Sequence, residues 1–358
     1  MDPRRADSLA WQIIRVSGVL LVIALLMSVI KVPYAIEAPG PVSDTLGSRG
    51  EGESAAQVVT VTGAKSYPTD GNLYFTTVSV NGSPDEHINV WEWIGGHLDD
   101  DAIVVPEERV FGTGNSQQEI REINAAEMQG SQKSAIAVAL RSTGHEVGQD
   151  NVVASIVEDY PADGKLELKD KILAVDGKRQ ERVSDLVAAI SDRGVGDTVE
   201  LTVDRGGVER QVRLRAEDIG NGRAGIGIGI EPIYDYPVEV RIDAGNVGGP
   251  SAGAMFALAI HDVLTPGELT GGKSLAGTGT INDGGAIGPI GGIRQKMVGA
   301  REAQAEYFLA PADNCAEVVG HVPEGLTVLE VADFESAVAA VEAAATGDVA
   351  GLPSCGTR

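Results

Sequence analysis

Ser251 stands in Gly248-Gly249-Pro250-Ser251-Ala252-Gly253, directly before the apolar run at 254–263. A hydroxyl at a helix start lies among backbone N–H groups that have no partner within the helix and carry positive partial charge. A developing oxyanion needs that environment. The sequence therefore marks Ser251 as a candidate nucleophile, with the amides of Gly249, Ser251 and Ala252 as a candidate oxyanion hole. The same position also suits a serine that merely caps the helix. A nucleophilic serine needs a base. His261 and Asp262 invite a triad, yet ten helical residues separate His261 from Ser251, about 15 Å. The five histidines, at 87, 97, 145, 261 and 321, show no metal-ligand spacing. Lys296 is the better candidate, in Gly291-Gly292-Ile293-Arg294-Gln295-Lys296 at the head of a helix expected to reach about residue 305. A lysine kept from water can lose its proton near neutral pH and accept one from serine. Ordinarily, however, a lysine on an amphipathic helix is a solvated surface residue.

The elements that must position these groups follow from pattern. Residues 275–281 read as a strand punctuated by glycine and carrying Thr278, followed by the turn Asn282-Asp283-Gly284-Gly285. Upstream, residues 37–55 are rich in Gly, Pro and Ser and read as a spacer. Strands are expected at 58–62 and 73–80, and residues 97–108 carry an acidic loop. Residues 119–141 show helical spacing of Ile123, Met128, Ile136, Ala139 and Leu140, with Gly130 as an expected interruption. Residues 151–215 form a unit of their own, with a strand at 151–158, a helix at Val183–Ser191, and strands at 198–204 and 209–215 joined by Gly206-Gly207.

Residues 16–30 carry no charge and are bounded by Arg15 and Lys31, with Trp11 and Tyr34 outside them. Fifteen helical residues reach about 22 Å, short of the roughly 30 Å hydrocarbon core. The 24 positions from Trp11 to Tyr34 suffice if the cations snorkel. We read 13–36 as an uncleaved signal anchor; a cleaved signal peptide is the alternative, but no small-x-small site follows the run. Arg4, Arg5 and Arg15 place the tail at 1–12 in the cytoplasm and the rest outside. That location permits a disulfide between Cys315 and Cys355, whose pairing the sequence leaves open. With 28 Lys+Arg against 52 Asp+Glu, a net charge of −24 argues against a nucleic-acid partner. The 43% hydrophobic content excludes global disorder.

Two stretches resemble known families. Residues 151–215, with Tyr160-Pro161-Ala162 and Leu166 through Ile172 to Val175-Asp176-Gly177, resemble a bacterial protease-associated PDZ domain, although Lys169-Asp170 stands where Gly-Asp is usual. That resemblance implies a peptide groove between the 151–158 strand and the Val183–Ser191 helix. The Pro250-Ser251-Ala252-Gly253 motif, followed by Thr278-Gly279 and by Pro289-Ile290-Gly291-Gly292 through Lys296, resembles the Lon-type serine protease domain, and Asn314 matches its flanking asparagine. The resemblance implies Ser251 as nucleophile, Lys296 as its dyad partner and Thr278 as the residue that positions them. Gly248 departs from it, since Asp is usual there. Residues 127–137 look like a helix of the same domain, which would make the PDZ unit an insertion.

The expected chain is thus α+β: a tail at 1–12, a transmembrane anchor at 13–36, a spacer and first protease part at 37–146, a PDZ domain at 147–218, a Lon-type catalytic domain at 219–346 and a tail at 347–358. It is similar to PDZ-containing Lon-like membrane proteases, and the acidic, Ala/Gly-rich composition suits an actinobacterium. The expected function is an extracytoplasmic, ATP-independent endopeptidase acting on proteins or unstructured tails; a catalytically weak PDZ scaffold is the alternative. Gly267 to Ser274 satisfies the GxxxxGK[ST] phosphate-loop pattern, but a helix precedes it and a strand follows, the reverse of the required context. Neither cofactor nor metal is expected; homo-oligomerisation is implied by the resemblance alone.

Overall fold

The computed structural model describes residues 3–50 and 55–355, so parts of both expected tails and of the spacer lie outside the described residues. One six-stranded sheet organises the half of the chain that carries Ser251 and Lys296. Its order is Thr327–Val331, Tyr307–Pro311, Ser274–Gly277, Asn72–Asn81, Tyr34–Asp44 and Ile103–Pro106. The first four strands run parallel, and Tyr34–Asp44 is antiparallel to both its neighbours.

Side chains alternate along these strands with the period of two that a pleated sheet imposes. Leu73, Phe75, Leu275, Leu309 and Leu329 face one core, while Ala276, Phe308, Ala310 and Val328 face another. Helix Gly253–Leu264 fills the first core. Ala254 through Ile260 are at most 2% exposed, so this helix is covered on every side, as an all-round apolar sequence requires. Helices Gln117–Ser142 and Phe334–Thr346 cover it from outside. Helix Ile293–Glu302 fills the second core through Ile293, Met297 and Ala300. The helix that begins beside the serine and the helix that carries the lysine thus lie on opposite faces of one sheet.

The second sheet is antiparallel, ordered Val208–Arg215, Thr198–Arg205, Lys171–Val175, Gly148–Ile156, Ile228–Asp235. Helix Val183–Ser191 packs on it through Leu186 and Ile190. This module occupies the chain between two groups of strands that belong to the first sheet. Its ends adjoin, since Gly148 pairs with Asp235 across the ladder.

Several expectations are corrected. Among the described residues no helix is long and apolar enough to cross a membrane. Helix Pro3–Val29 ends before Lys31, and residues of the expected anchor enter strands Lys31–Val32 and Tyr34–Asp44, where Ala35 is fully buried. The expected spacer begins as a sheet strand, because a bulge between Pro39 and Val42 accommodates Pro39, Gly40 and Pro41. Helix Gln117–Ser142 runs unbroken through Gly130. The Ser116–Glu119 capping box and the buried turns from Met128 onward outweigh a glycine cost of about 1 kcal/mol. Cys315 and Cys355 form a disulfide.

Candidate active site

Thr278 follows the carboxyl end of Ser274–Gly277, a central parallel strand, which is where open α/β sheets leave a crevice. Groups from the two faces of the sheet meet there. Lys296 Nζ donates to Thr278 Oγ1 at 3.0 Å, and Thr278 Oγ1 donates to the Ser251 carbonyl at 3.0 Å. The Gly279 amide holds the same carbonyl at 2.8 Å. Ser251 and Lys296 line one cleft of about 650 Å³ together with Phe75, Val78, Pro289 and Ile290.

Lys296 is 3% exposed, and burial lowers its ammonium from 10.5 to about 8. Among the described residues no carboxylate pairs with it, so desolvation is unopposed and favours the neutral amine. The Thr278 hydroxyl spends its own hydrogen on Ser251 and offers a lone pair to the amine. That arrangement leaves the lysine lone pair free to face the cleft.

The loop before the serine is held by the distant helix Gln117–Ser142. Ser131 Oγ donates to the Pro250 carbonyl at 2.8 Å, and the Gly249 amide donates to the Asn124 carbonyl at 2.9 Å. Gly249 lies at φ 83, where a side chain would be strained. Its amide is engaged, so of the three expected oxyanion donors only Ser251 and Ala252 keep N–H groups with no acceptor among the described residues. A Cβ at Gly248 would meet Asn124 Cβ at 2.8 Å. The usual aspartate is thus sterically excluded by the long helix. Asn314, 1% exposed, grips the cleft wall by accepting from Ile290 N and donating to Ile290 O, both at 2.9 Å.

His261 and Asp262 stay away from Ser251. His261 Nδ1 lies 2.9 Å from Ser142 Oγ, its ring packs edge-on to Phe334, and burial lowers its pKa. Asp262 is fully buried and accepts from the Leu269 amide; burial pushes its carboxyl up to about 6. The phosphate-loop pattern also resolves into structure. It connects a helix to a strand, and Lys273 pairs with Glu306 at 3.0 Å.

A second cleft of about 340 Å³ lies in the inserted module, lined by Val157, Tyr160, Val187, Ile190, Ile226 and Ile228. It lies against the expected helix Val183–Ser191, but its strand side is Ile228–Asp235, and the expected strand at 151–158 contributes only Val157 at its end. The physical reason is pairing: Gly148–Ile156 lies between two strands, whereas Ile228–Asp235 is the sheet edge and can accept another strand. Sequence reasoning also missed Asn124, Ser131 and Asp283 as supports of the site. Ser131 alone had a local signal, as a polar residue on the apolar stripe with Met128 and Ala135.

Residues 125–215 match the PDZ domain family, and residues 221–344 match the Lon protease (S16) C-terminal proteolytic domain. The chain carries a serine peptidase domain. Over 109 residues it is 34% identical to Lon protease 1 of Bacillus subtilis (strain 168), covering 28% of this chain and 14% of that protein. Over 182 residues it is 31% identical to Lon protease of Azospirillum brasilense, covering 48% of this chain and 22% of the relative. The chain thus spans under a quarter of the length of these relatives. It is also similar to the PDZ domain of an SdrC-like protein from Listeria monocytogenes, at 30% identity over 22% of this chain and 85% of that one, with a TM-score of 0.22.

Proposed function

We propose that this chain is an ATP-independent endopeptidase in which Ser251 attacks the scissile carbonyl and Lys296 takes its proton. The observation that carries the reading is Lys296 itself: a buried amine, lowered to about 8, bonded to Thr278 and lining one cleft with Ser251. Lys296 then returns the proton to the leaving amine, which departs as the acyl-enzyme forms. Water attacks that ester, again giving its proton to Lys296, and Ser251 is restored. The free amides of Ser251 and Ala252 face the oxyanion, and Thr278 positions the lysine.

The apolar edge groove takes an extended peptide or unstructured tail as an added strand. Independence from ATP is supported by the Gly267–Ser274 segment, whose lysine is already paired. The Cys315–Cys355 disulfide supports work in an oxidising, extracytoplasmic compartment. Large apolar side chains from Ile14 to Val29 lie exposed along the N-terminal helix and need cover, which supports attachment at a membrane face. Homo-oligomerisation is proposed from the family resemblance.

The full chain, incubated with fluorescein-labelled unfolded casein without nucleotide, is expected to cleave it. Ser251→Ala and Lys296→Ala are expected to abolish cleavage while keeping the melting transition. A folded, inactive wild-type chain that still binds peptide would instead support the scaffold reading.

A further inference from the structure

Asp283 lies five residues beyond Thr278 in the turn Asn282-Asp283-Gly284-Gly285 and is 5% exposed. Its carboxylate accepts from Val183 N at 2.6 Å and Ser184 N at 3.1 Å, the first two residues of helix Val183–Ser191. It also accepts from Gln149 Nε2 at 2.7 Å. The N-cap residue of that helix, Arg182, supplies no side-chain cap. The cap that a helix N-terminus requires therefore comes from the catalytic half, across the boundary between the two sheets. On the other side, Arg141 Nη1 donates to the Asp283 carbonyl at 3.0 Å. Arg141 belongs to the long helix whose Asn124 and Ser131 hold the serine loop.

The capped helix is also one wall of the peptide groove, through Val187, Ile190 and Ser191. From Asp283 the chain leads back through the hairpin pair Thr280–Gly288 and Ile281–Ile287 to Thr278. We propose that Asp283 is a positioning residue through which occupancy of the PDZ groove is coupled to the Ser251–Thr278–Lys296 site. A strand seated in the groove bears on Val187 and Ile190. The helix cannot shift without either dragging the Asp283 turn or leaving two amides unpaired and a buried carboxylate with Gln149 alone, a penalty that favours moving together. Coupling of this kind is reciprocal: a groove ligand that changes the affinity of the catalytic cleft is itself bound differently when that cleft is filled. The inference rests on the proposed protease function for its kinetic readout and on the structure alone for its conformational one.

The probe is a peptide with a free carboxyl terminus, selected on the full-length Ser251→Ala chain and required to lose binding when Val187 is changed to Glu. In the wild-type chain it is expected to change kcat for casein about tenfold with little change in KM, a magnitude typical of allosteric coupling. In Asp283→Asn, which keeps an acceptor oxygen, the peptide is expected to bind but to change kcat less than about twofold. Gln149→Ala, which leaves the carboxylate in place, should retain most of the response. Hydrogen exchange of residues 278–288 should respond to the peptide in wild type and not in Asp283→Asn. A peptide that binds without altering either readout in wild type overturns the coupling, and an equal response in Asp283→Asn overturns the role of Asp283. A wild-type chain inactive on casein, but with the exchange response intact, overturns the protease reading and leaves the coupling standing.

Discussion

The cleft that holds Ser251 and Lys296 and the groove of the inserted module are both concave surfaces of one chain, built on opposite principles. In the cleft, polar groups are fixed before any ligand arrives: Lys296, Thr278 and the Ser251 carbonyl form a chain of hydrogen bonds between two faces of a sheet. In the groove, the lining is aliphatic apart from Tyr160 and Ser191 and glycine backbone, and the polar element is the free edge of Ile228–Asp235. The first arrangement suits bond-making, which rewards preorganised charge; the second suits affinity, which rewards apolar area and backbone pairing. The difference teaches that burial serves different ends at the two sites. At Lys296 it changes acidity, and in the groove the buried Ile190 supports an exposed Val187 that is left as a surface to be covered.

Lys296→Met gives the largest contrast. Activity should fall by about 10²–10⁴-fold, the usual contribution of a general base. Stability should move the other way. The folded pKa of about 8 lies below the unfolded value, so the unfolded chain holds the proton more tightly and the wild-type penalty is fully present below pH 8. Wild-type stability should therefore rise as pH climbs from about 8 to about 10.5. Met should raise the melting temperature at pH 7 by the equivalent of about 3 kcal/mol, with the two curves converging at high pH. In the wild-type enzyme kcat/KM should rise about tenfold per pH unit below pH 8 and level off above it. A profile flat from pH 6 to 9 would show that Lys296 is not the base.

Next in size, Thr278→Val removes the hydroxyl between Lys296 and the Ser251 carbonyl. A loss of about 10–100-fold in kcat is expected, because an unpaired buried amine loses its orientation at a cost of about 1–3 kcal/mol. Thr278→Ser should restore most of it. Val187→Glu tests the groove. Peptide affinity should weaken about tenfold or more through a charge set on an apolar wall. Lys169→Gly is the smallest change. Lys169 holds φ 74, a left-handed conformation that costs an ordinary residue about 1–2 kcal/mol. Glycine should raise the melting temperature by a few degrees and leave both sites untouched.

The candidate residues Ser251, Thr278 and Lys296, which the structure brings to one place, carry local marks: a serine among glycines before an apolar helix, and a lysine after a double glycine. The PDZ elements were legible from alternation and turns. The structure adds what spacing cannot carry. Nothing near residue 228 announces that its strand, rather than the one at 151–158, forms the sheet edge, because strand order is set by pairings distant in sequence. The proline and glycine content at 39–41 pointed to a spacer, yet tertiary pairing with Asn72–Asn81 and a bulge override that local signal. Gly249 was read as a free amide, since the Asn124 carbonyl that occupies it lies over a hundred residues away.

The pairing of Gly148 with Asp235 also bears on the order in which the molecule can assemble. During synthesis the strands at 34–106 emerge long before those at 274–331, so the rim of Asn72–Asn81 that will receive Ser274–Gly277 stands open meanwhile. Were the intervening roughly 90 residues a random coil, closing them would cost on the order of 4 kcal/mol in chain entropy. A module that folds on its own, with entry and exit side by side, removes that cost before the catalytic sheet closes. The insertion then acts toward its host as a short turn, and the rate at which it folds sets how long the open rim is exposed.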